Sequence, residues 1–281
     1  MSTMKLDFKF TAEELISKGK TTEENVEKIR NWLSTAKEKF IPIEIQDELL
    51  VLFLLSCDND IEMTKKTIVS HYKIKKDAPD IFDQRNTERE DIQKVFKTLQ
   101  MINLPERTDE DNAIIYFRLR DTNWRNMEVT PIMKASFMLM DIEQKKMFPN
   151  GIVYLVDMEG FGLMHLTKIR LNPLMKYFAY LEEGLPIKFE AIHFLNANYV
   201  LDRFLAMVRT FLLPHIMKKL YMHPKGLSQE ELFKIVPKKC LPQELGGDLQ
   251  PAEELCKITM ELLIEKNSFW EIEEKLRKHT Q

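Results

Sequence analysis

The period of the apolar positions changes once along the chain. Up to about residue 100 they recur at helical spacing: Val26, Ile29 and Leu33 share one face with Trp32 beside them. Leu49 to Leu55 reads LLVLFLL, apolar on nearly all sides, which predicts a central helix in a small helical lobe. Asp58, Asn59 and Asp60 form a polar break and cap, after which IEMTKKTIVSHYKIKK runs as an amphipathic helix until Ala78 and Pro79 stop it. Three pairs, Thr11/Glu14, Thr21/Glu24 and Thr87/Glu90, have the spacing of capping boxes, and Gly19 separates the first two helices. The helix opened by Thr87 extends to about Gln100.

Beyond the polar link NLPERTDEDN the period shortens. AIIYFRLR (113–120), GIVYLVDME (151–159) and FEAIHFLNA (189–197) are β-branched, aromatic runs of strand length, with the helical LTKIRLNPLMKYFAYLEE between the last two. Strand, helix, strand implies a parallel pair joined by a crossover. The chain is therefore expected to be α/β: a helical lobe over 1–100, then residues 101–281 as a mixed sheet flanked by helices, closing in a helical tail. No internal repeat or low-complexity tract interrupts it.

Past the third strand, Leu201, Phe204, Leu205, Val208, Phe211 and Leu212 fall on one arc of a helix, opposite Asp202, Arg203, Arg209 and Thr210, and Pro214 ends or kinks it. A second short strand and a Gly-Gly turn, LPQELGG, follow; Gly246 or Gly247 there supplies a backbone angle that other residues disfavour. Arg203, Arg209, Lys218, Lys219 and Lys225 face only Asp202 between Asn196 and Gly226. A basic margin beside an apolar flap suits transient contact with an anionic membrane surface. A solvated helix face packed on a core accounts for the same pattern.

Composition narrows the function classes. The formal net charge is −3 from 41 basic and 44 acidic residues, so no global field draws the chain to nucleic acid. Three cysteines without CxxC spacing argue for reduced thiols and a cytosolic setting. The N-terminus lacks the apolar core of a signal peptide, and no apolar run approaches the roughly 20 residues that span a bilayer. Of 16 methionines, 11 lie between Met127 and Met222, a supply of adaptable side chains that fits either a plastic core or a cavity shaped around a ligand.

Taken in order, GIVYLVDMEGF, GLPIKFEAIHFLNANYVLDRFLAMVRTFLLPHIMKKLYMHP and LPQELGG resemble the CRAL-TRIO family, in particular its tocopherol- and retinaldehyde-binding subgroup. The resemblance covers about residues 45 to 260, and DNDIEMTKKTIVSHYKIKKDAPDIF is similar to the family's N-terminal lobe. It implies a deep apolar pocket holding a lipophilic ligand and no other cofactor, under a gate at about 198–219. The pocket maps onto Met133, Phe137, Met140, Tyr154, Val156, Met158, Phe161, Phe178, Leu181, Ile192, Phe194, Leu205, Val208, Phe211 and Leu212. Anionic-lipid contact maps onto Lys188, Arg203, Arg209, Lys218 and Lys219. The implied function is cytosolic carriage of a tocopherol, retinoid, carotenoid or similar lipid between membranes by a monomer; the alternative is a phospholipid or phosphoinositide sensor. Relatives that recognise phosphoinositide headgroups carry arginines where this chain reads LFLLSCDND, and a base where it has Glu190. Lys188 and Lys219 remain, with His215 at a position often held by lysine.

Catalytic patterns are sparse. Asp157 and Glu159 end a strand and His193 lies on its neighbour, a conceivable acid/base pair for an enzyme acting on a bound lipophile. The alternative is a strand-ending turn and a hydrogen-bonded core histidine. Gly160 and Gly162 begin a GxG that Leu163, Met164 and His165 do not complete. His215 and His223 lack supporting metal ligands, so no metal is expected.

Overall fold

A computed structural model describes residues 5–42, 44–146, 149–212 and 214–279. The first helices are α1 (Ala12–Ser17), α2 (Glu23–Leu33), α3 (Asp47–Ser56), α4 (Ile61–Asp77), α5 (Pro79–Phe82) and α6 (Glu90–Thr98). Thr11 and Asp60 cap α1 and α4 through their side chains, accepting from Glu14 N and Met63 N. The other two capping expectations shift. Thr22, not Thr21, caps α2, and α6 starts at Glu90 after Arg89, while Thr87 hydrogen-bonds Asn267 of the C-terminal tail. α3 is apolar all round because it is surrounded: Leu50, Val51, Leu52, Phe53 and Leu54 are fully buried, and with Val26, Ile29, Leu33, Ile68 and Tyr72 they form one of two cores.

The other core surrounds a five-stranded sheet of β1 (Leu99–Asn103), β2 (Asn112–Leu119), β3 (Gly151–Asp157), β4 (Phe189–Ala197) and β5 (Leu220–Pro224), in that spatial order. β1 is antiparallel to β2; β2 through β5 are parallel. β1 occupies the end of the stretch expected to be helical to Gln100, because Leu99 and Met101 pair with Leu119 and Phe117. The second core also draws in Ala78 at the α4–α5 junction, Ile81 and Phe82 from α5, and Ile92, Val95 and Phe96 from α6.

Parallel strands need long crossovers, and here these are helices. α7 (Val129–Lys146) links β2 to β3. From β3 to β4 the chain passes through α8 (Leu163–Leu166) and α9 (Leu171–Ala179), and α10 (Tyr199–Val208) and α11 (Pro214–Met217) lead to β5. α12 (Gln229–Ile235), α13 (Ala252–Glu265) and α14 (Asn267–Lys278) complete the chain. The single helix expected between the second and third strands is broken into α8, α9 and a π-helical turn, Tyr180–Gly184. Two glycines are required by geometry. Gly160 has φ +81°, and a Cβ there would lie 2.6 Å from Thr122 Cγ2; a Cβ at Gly247 would lie 1.9 Å from the Leu241 carbonyl oxygen. Within LPQELGG the left-handed residue is Gly246, at φ +76°, and Gly247 is there for close approach.

Buried charges join the two cores. Glu273 on α14 receives Lys75 of α4 at 2.9 Å and Arg85 at 2.6 Å, and Arg277 lies 3.2 Å away. Arg85 also binds Asp141 of α7 at 2.6 Å, and Trp270 Nε1 donates to that carboxylate at 3.0 Å. Burial alone would raise the Glu273 carboxyl, but Lys75, Arg85 and Arg277 hold it well below the ordinary carboxylate range. Removing one member leaves the others charged and buried. Glu273→Ala is therefore expected to cost about 3–5 kcal/mol of stability, measurable by denaturant unfolding.

Candidate functional site

Alternation along the strands sets Phe117 and Leu119 of β2, Tyr154 and Val156 of β3, and Ile192 and Phe194 of β4 on one face of the sheet. β3, buried along most of its length, needs the continuous apolar run its sequence supplies. Against this face lie Met133 and Ser136 of α7, Leu174, Tyr177 and Phe178 of α9, and Leu201 and Phe204 of α10. Between them remains a cavity of about 230 Å³, completed by Leu99, Arg118, Met127, Val129, Ile132, Met158, Phe161 and Ile169.

The wall is hydrocarbon apart from Arg118 and three hydroxyls, and these hydroxyls turn to one another. Ser136 Oγ donates to the Met133 carbonyl at 2.8 Å and lies 3.1 Å from the Tyr177 hydroxyl, which lies 3.2 Å from that of Tyr154. Burial raises the Tyr154 phenol well above its ordinary pKa and raises that of Tyr177, so both stay protonated and able to donate.

Eight of the fifteen pocket residues named from sequence are brought together here: Met133, Tyr154, Val156, Met158, Phe161, Phe178, Ile192 and Phe194. Phe137, Met140, Leu181, Leu205, Val208 and Leu212 are instead buried in the surrounding core, and Phe211 packs half-buried against it. The difference on α10 lies along the helix rather than around it. Leu201 and Phe204 border the cavity, whereas Leu205 and Val208, each about 40° round the helix from Leu201 and Phe204 respectively, stand one turn further along the same arc and are buried in the core. The helix also ends earlier than expected, at Val208, and Pro214 begins α11 rather than stopping α10, a first-turn position its ring tolerates. Leu213, inside the expected gate, lies outside the described residues. Strand alternation could have found Phe117 and Leu119; nothing in the local pattern singles out Met127, Ile169 or Tyr177.

The start of α10 is pinned. Asn198 accepts from Val200 N at 2.9 Å and donates to the Phe161 carbonyl at 3.4 Å. Asn196, left-handed at φ 51°, donates to Asp157 Oδ1 at 2.7 Å, and Asp157 also accepts from Glu159 N at 2.9 Å and faces Arg118 at 3.5 Å. Asp157 thus fastens two strand ends. His193, two register positions away, is engaged elsewhere, with Nδ1 3.0 Å from His223 Nε2 and its ring stacked on Tyr221. Among the described residues no group of three His, Cys, Asp or Glu is placed to hold a metal, and no helix is long and apolar enough to cross a membrane.

The five basic residues named from sequence are dispersed. Lys188 is held by Asp58 at 2.5 Å, and Lys219 donates to the Phe189 carbonyl. His215 lies 3.3 Å from Glu182 of the π-helical turn. Arg203, Arg209 and Lys218 are exposed and form no ion pair among the described residues.

A sheet backing an apolar cavity, with a short amphipathic helix across it and a helical lobe attached, defines a class of small-molecule enclosure. The CRAL/TRIO domain profile matches residues 97–247 and that of the Pinta-like UBA domain residues 18–92. The chain belongs to the CRAL/TRIO family. It is similar to alpha-tocopherol transfer protein-like of Mus musculus, 23% identical over 212 residues, covering 74% of this chain and 60% of that protein. The Homo sapiens counterpart is 24% identical over 207 residues, with 72% and 59% coverage. Clavesin-2 of Mus musculus is 27% identical over 133 residues, 46% of this chain and 40% of that one. The chain thus spans about 60% of the length of the first of these relatives. The crystal structure of Sfh5 shares the fold, with TM-score 0.50 and 12% identity over 87% of this chain and 99% of that one.

Burial lowers the pKa of His193 to about 4, with the neighbouring His223 adding to the effect, and burial lowers that of His71, under the π-helical turn, well below 6.5. Both are neutral when folded and take up a proton on unfolding once the pH falls below about 6.5. Unfolding free energy is therefore expected to fall as the pH drops from about 6.5 toward 4. His193→Asn should remove about one proton from that slope, as read by denaturant titrations across the range.

Proposed function

We propose that this protein is a cytosolic, monomeric carrier that encloses one lipophilic molecule, such as a tocopherol, retinoid, carotenoid or related lipid, and passes it between membranes. The observation that carries the reading is the hydrocarbon wall between the sheet and α7, α9 and α10. Burying on the order of 400 Å² of lipid there contributes roughly 10 kcal/mol before entropy losses, enough for slow spontaneous escape. The names of the tocopherol transfer protein-like relatives point the same way.

In this reading residues 1–100 are the helical lobe, 101–281 the lipid-binding domain, and 198–219 the gate. A cavity of about 230 Å³ sits below the roughly 300–1,000 Å³ of small-molecule sites, so an elongated lipid enters with α10 moving outward or Met127, Met133 and Met158 repacking. Ser136, Tyr154 and Tyr177 offer a hydroxyl chain that one polar atom of the ligand can join. Chemistry is not required of any of these groups, and Asp157 and His193, each committed to a structural partner, do not form an acid/base pair.

A phosphoinositide sensor needs free cations for a headgroup. Lys188 pairs with Asp58 and Lys219 donates to the Phe189 carbonyl, and these two stand apart from the exposed Arg203, Arg209 and Lys218, so the basic residues named from sequence do not gather into one headgroup site.

Phe204 is half-buried at the cavity wall, so Phe204→Asp tests the gate without emptying the core. Binding of a fluorescent tocopherol or retinoid analogue is expected to weaken at least about tenfold, since a carboxylate is poorly tolerated against hydrocarbon, while circular dichroism stays unchanged. Unaltered affinity and vesicle-to-vesicle transfer would remove α10 from the site.

A further inference from the structure

A second cavity, of about 580 Å³, lies where the helical lobe meets α14, larger than the one beneath α10 and inside the roughly 300–1,000 Å³ of small-molecule sites. Its walls come from α2, the α2–α3 connection, α4, α14 and the chain ahead of α1. In that leading segment Leu6 and Phe8 are half-buried at the wall while Lys5, Asp7 and Lys9 are exposed, the alternation of an extended chain. Gln46 of the α2–α3 connection fastens it, its side-chain oxygen accepting from Leu6 N at 2.5 Å and its amide nitrogen donating to the Leu6 carbonyl at 3.3 Å.

Two successive side chains of α4 bring unused hydrogen-bonding groups to this cavity. Tyr72 is 5% exposed, yet its hydroxyl makes no hydrogen bond among the described residues, and its ring meets that of His71 edge-on at 4.8 Å. Burial raises the phenol far above its ordinary pKa, so the hydroxyl keeps its proton. His71 is 3% exposed, with Nδ1 2.8 Å from the Gly184 carbonyl. A carbonyl can only accept, so Nδ1 carries the ring's proton; burial holds the ring neutral, and Nε2 is left a bare acceptor that no donor among the described residues reaches. A buried group left without a partner costs about 1–3 kcal/mol. Leu33, Ile45 and Phe269 line the same space, so water filling it would wet apolar walls that a planar organic molecule would cover.

Charge narrows what fits. The buried network at the inner end sets Lys75, Arg85 and Arg277 against Glu273, Asp141 and Asp83, and Lys278 with Glu274 extends it by one charge of each sign. No member is left over to bind a counter-ion. At the rim Glu13, Glu44, Asp47 and Glu48 outnumber Lys5 and Arg30, which turns anions away. We propose that this cavity binds a second, neutral small molecule, planar and partly apolar, with a donor and an acceptor side by side as in a carboxamide or lactam. Its N–H donates to His71 Nε2 and its carbonyl accepts from the Tyr72 hydroxyl. The two cavities share no wall residue, so the proposal stands apart from the carrier reading.

The test uses the full chain with benzamide as the probe, and toluene, benzoate and benzylamine as its apolar, anionic and cationic counterparts, followed by saturation-transfer NMR. Benzamide is expected to bind more tightly than the other three and to shift the ¹⁵N resonance of His71 Nε2, the signature of an acceptor gaining a donor. Tyr72→Phe should weaken benzamide about tenfold, the loss of one hydrogen bond. Because the hydroxyl it removes has no partner, the same substitution should not lower the Tm of the free protein. A fluorescent tocopherol analogue should leave benzamide bound. Equal or tighter binding of toluene, benzoate or benzylamine, an unmoved His71 resonance, a Tyr72→Phe variant that binds unchanged or melts several degrees lower, displacement by the tocopherol analogue, or no binding at all would each overturn the second site. None of these results bears on whether the cavity beneath α10 takes a lipophile.

Discussion

Three adjacent parallel strands, β2 to β4, are apolar on the face that carries Phe117, Tyr154, Val156, Ile192 and Phe194, and that face cannot be left in water. The connections between the strands must cover it, since parallel pairing sends the chain back across the sheet each time. α7, α9 and α10 do so incompletely. The space they leave is the cavity, and its wall is hydrocarbon because it is made of the inner faces of elements that would otherwise be core.

Rigidity around this space comes from charge as well as packing. Glu273, Lys75, Arg85, Arg277 and Asp141 tie α14, α4 and α7 into one buried network, and His71 secures the π-helical turn through the Gly184 carbonyl at 2.8 Å. α10 has no comparable anchorage along its length. Its start is held by Asn198, and its single apolar arc by contacts of Leu201 and Phe204 at the cavity and of Leu205 and Val208 one turn further along in the core. Such contacts are easily exchanged for a lipid or for a membrane interior. Those who would move one element of this fold to admit a ligand would choose α10.

Much of this was legible in the residues. The strand runs 113–120, 151–159 and 189–197 correspond to β2, β3 and β4 within two residues, and the Asp60 cap and Pro79 stop bound α4. β1 was hidden because Leu99 to Asn103 continues a helical spacing and becomes a strand only through pairing with β2. Helical periodicity found the apolar arc of α10 but not which part of it meets the cavity, since Leu205 and Val208 satisfy the same pattern by facing the core. Cavity residues such as Met127 and Ile169 stand in connections without period, and the partners of Lys188 and Lys219 are fixed by tertiary contact alone.

The most direct test of the enclosed-lipophile account is the content of the cavity itself. The protein, purified without detergent from a lipid-rich extract, is transferred to organic solvent and the released molecules are counted by mass spectrometry. The account predicts up to one equivalent per chain of a neutral or weakly polar lipophile with at most one small polar head. Diacyl phospholipid as the sole bound species, or no uptake of any lipophile offered in excess, would contradict it.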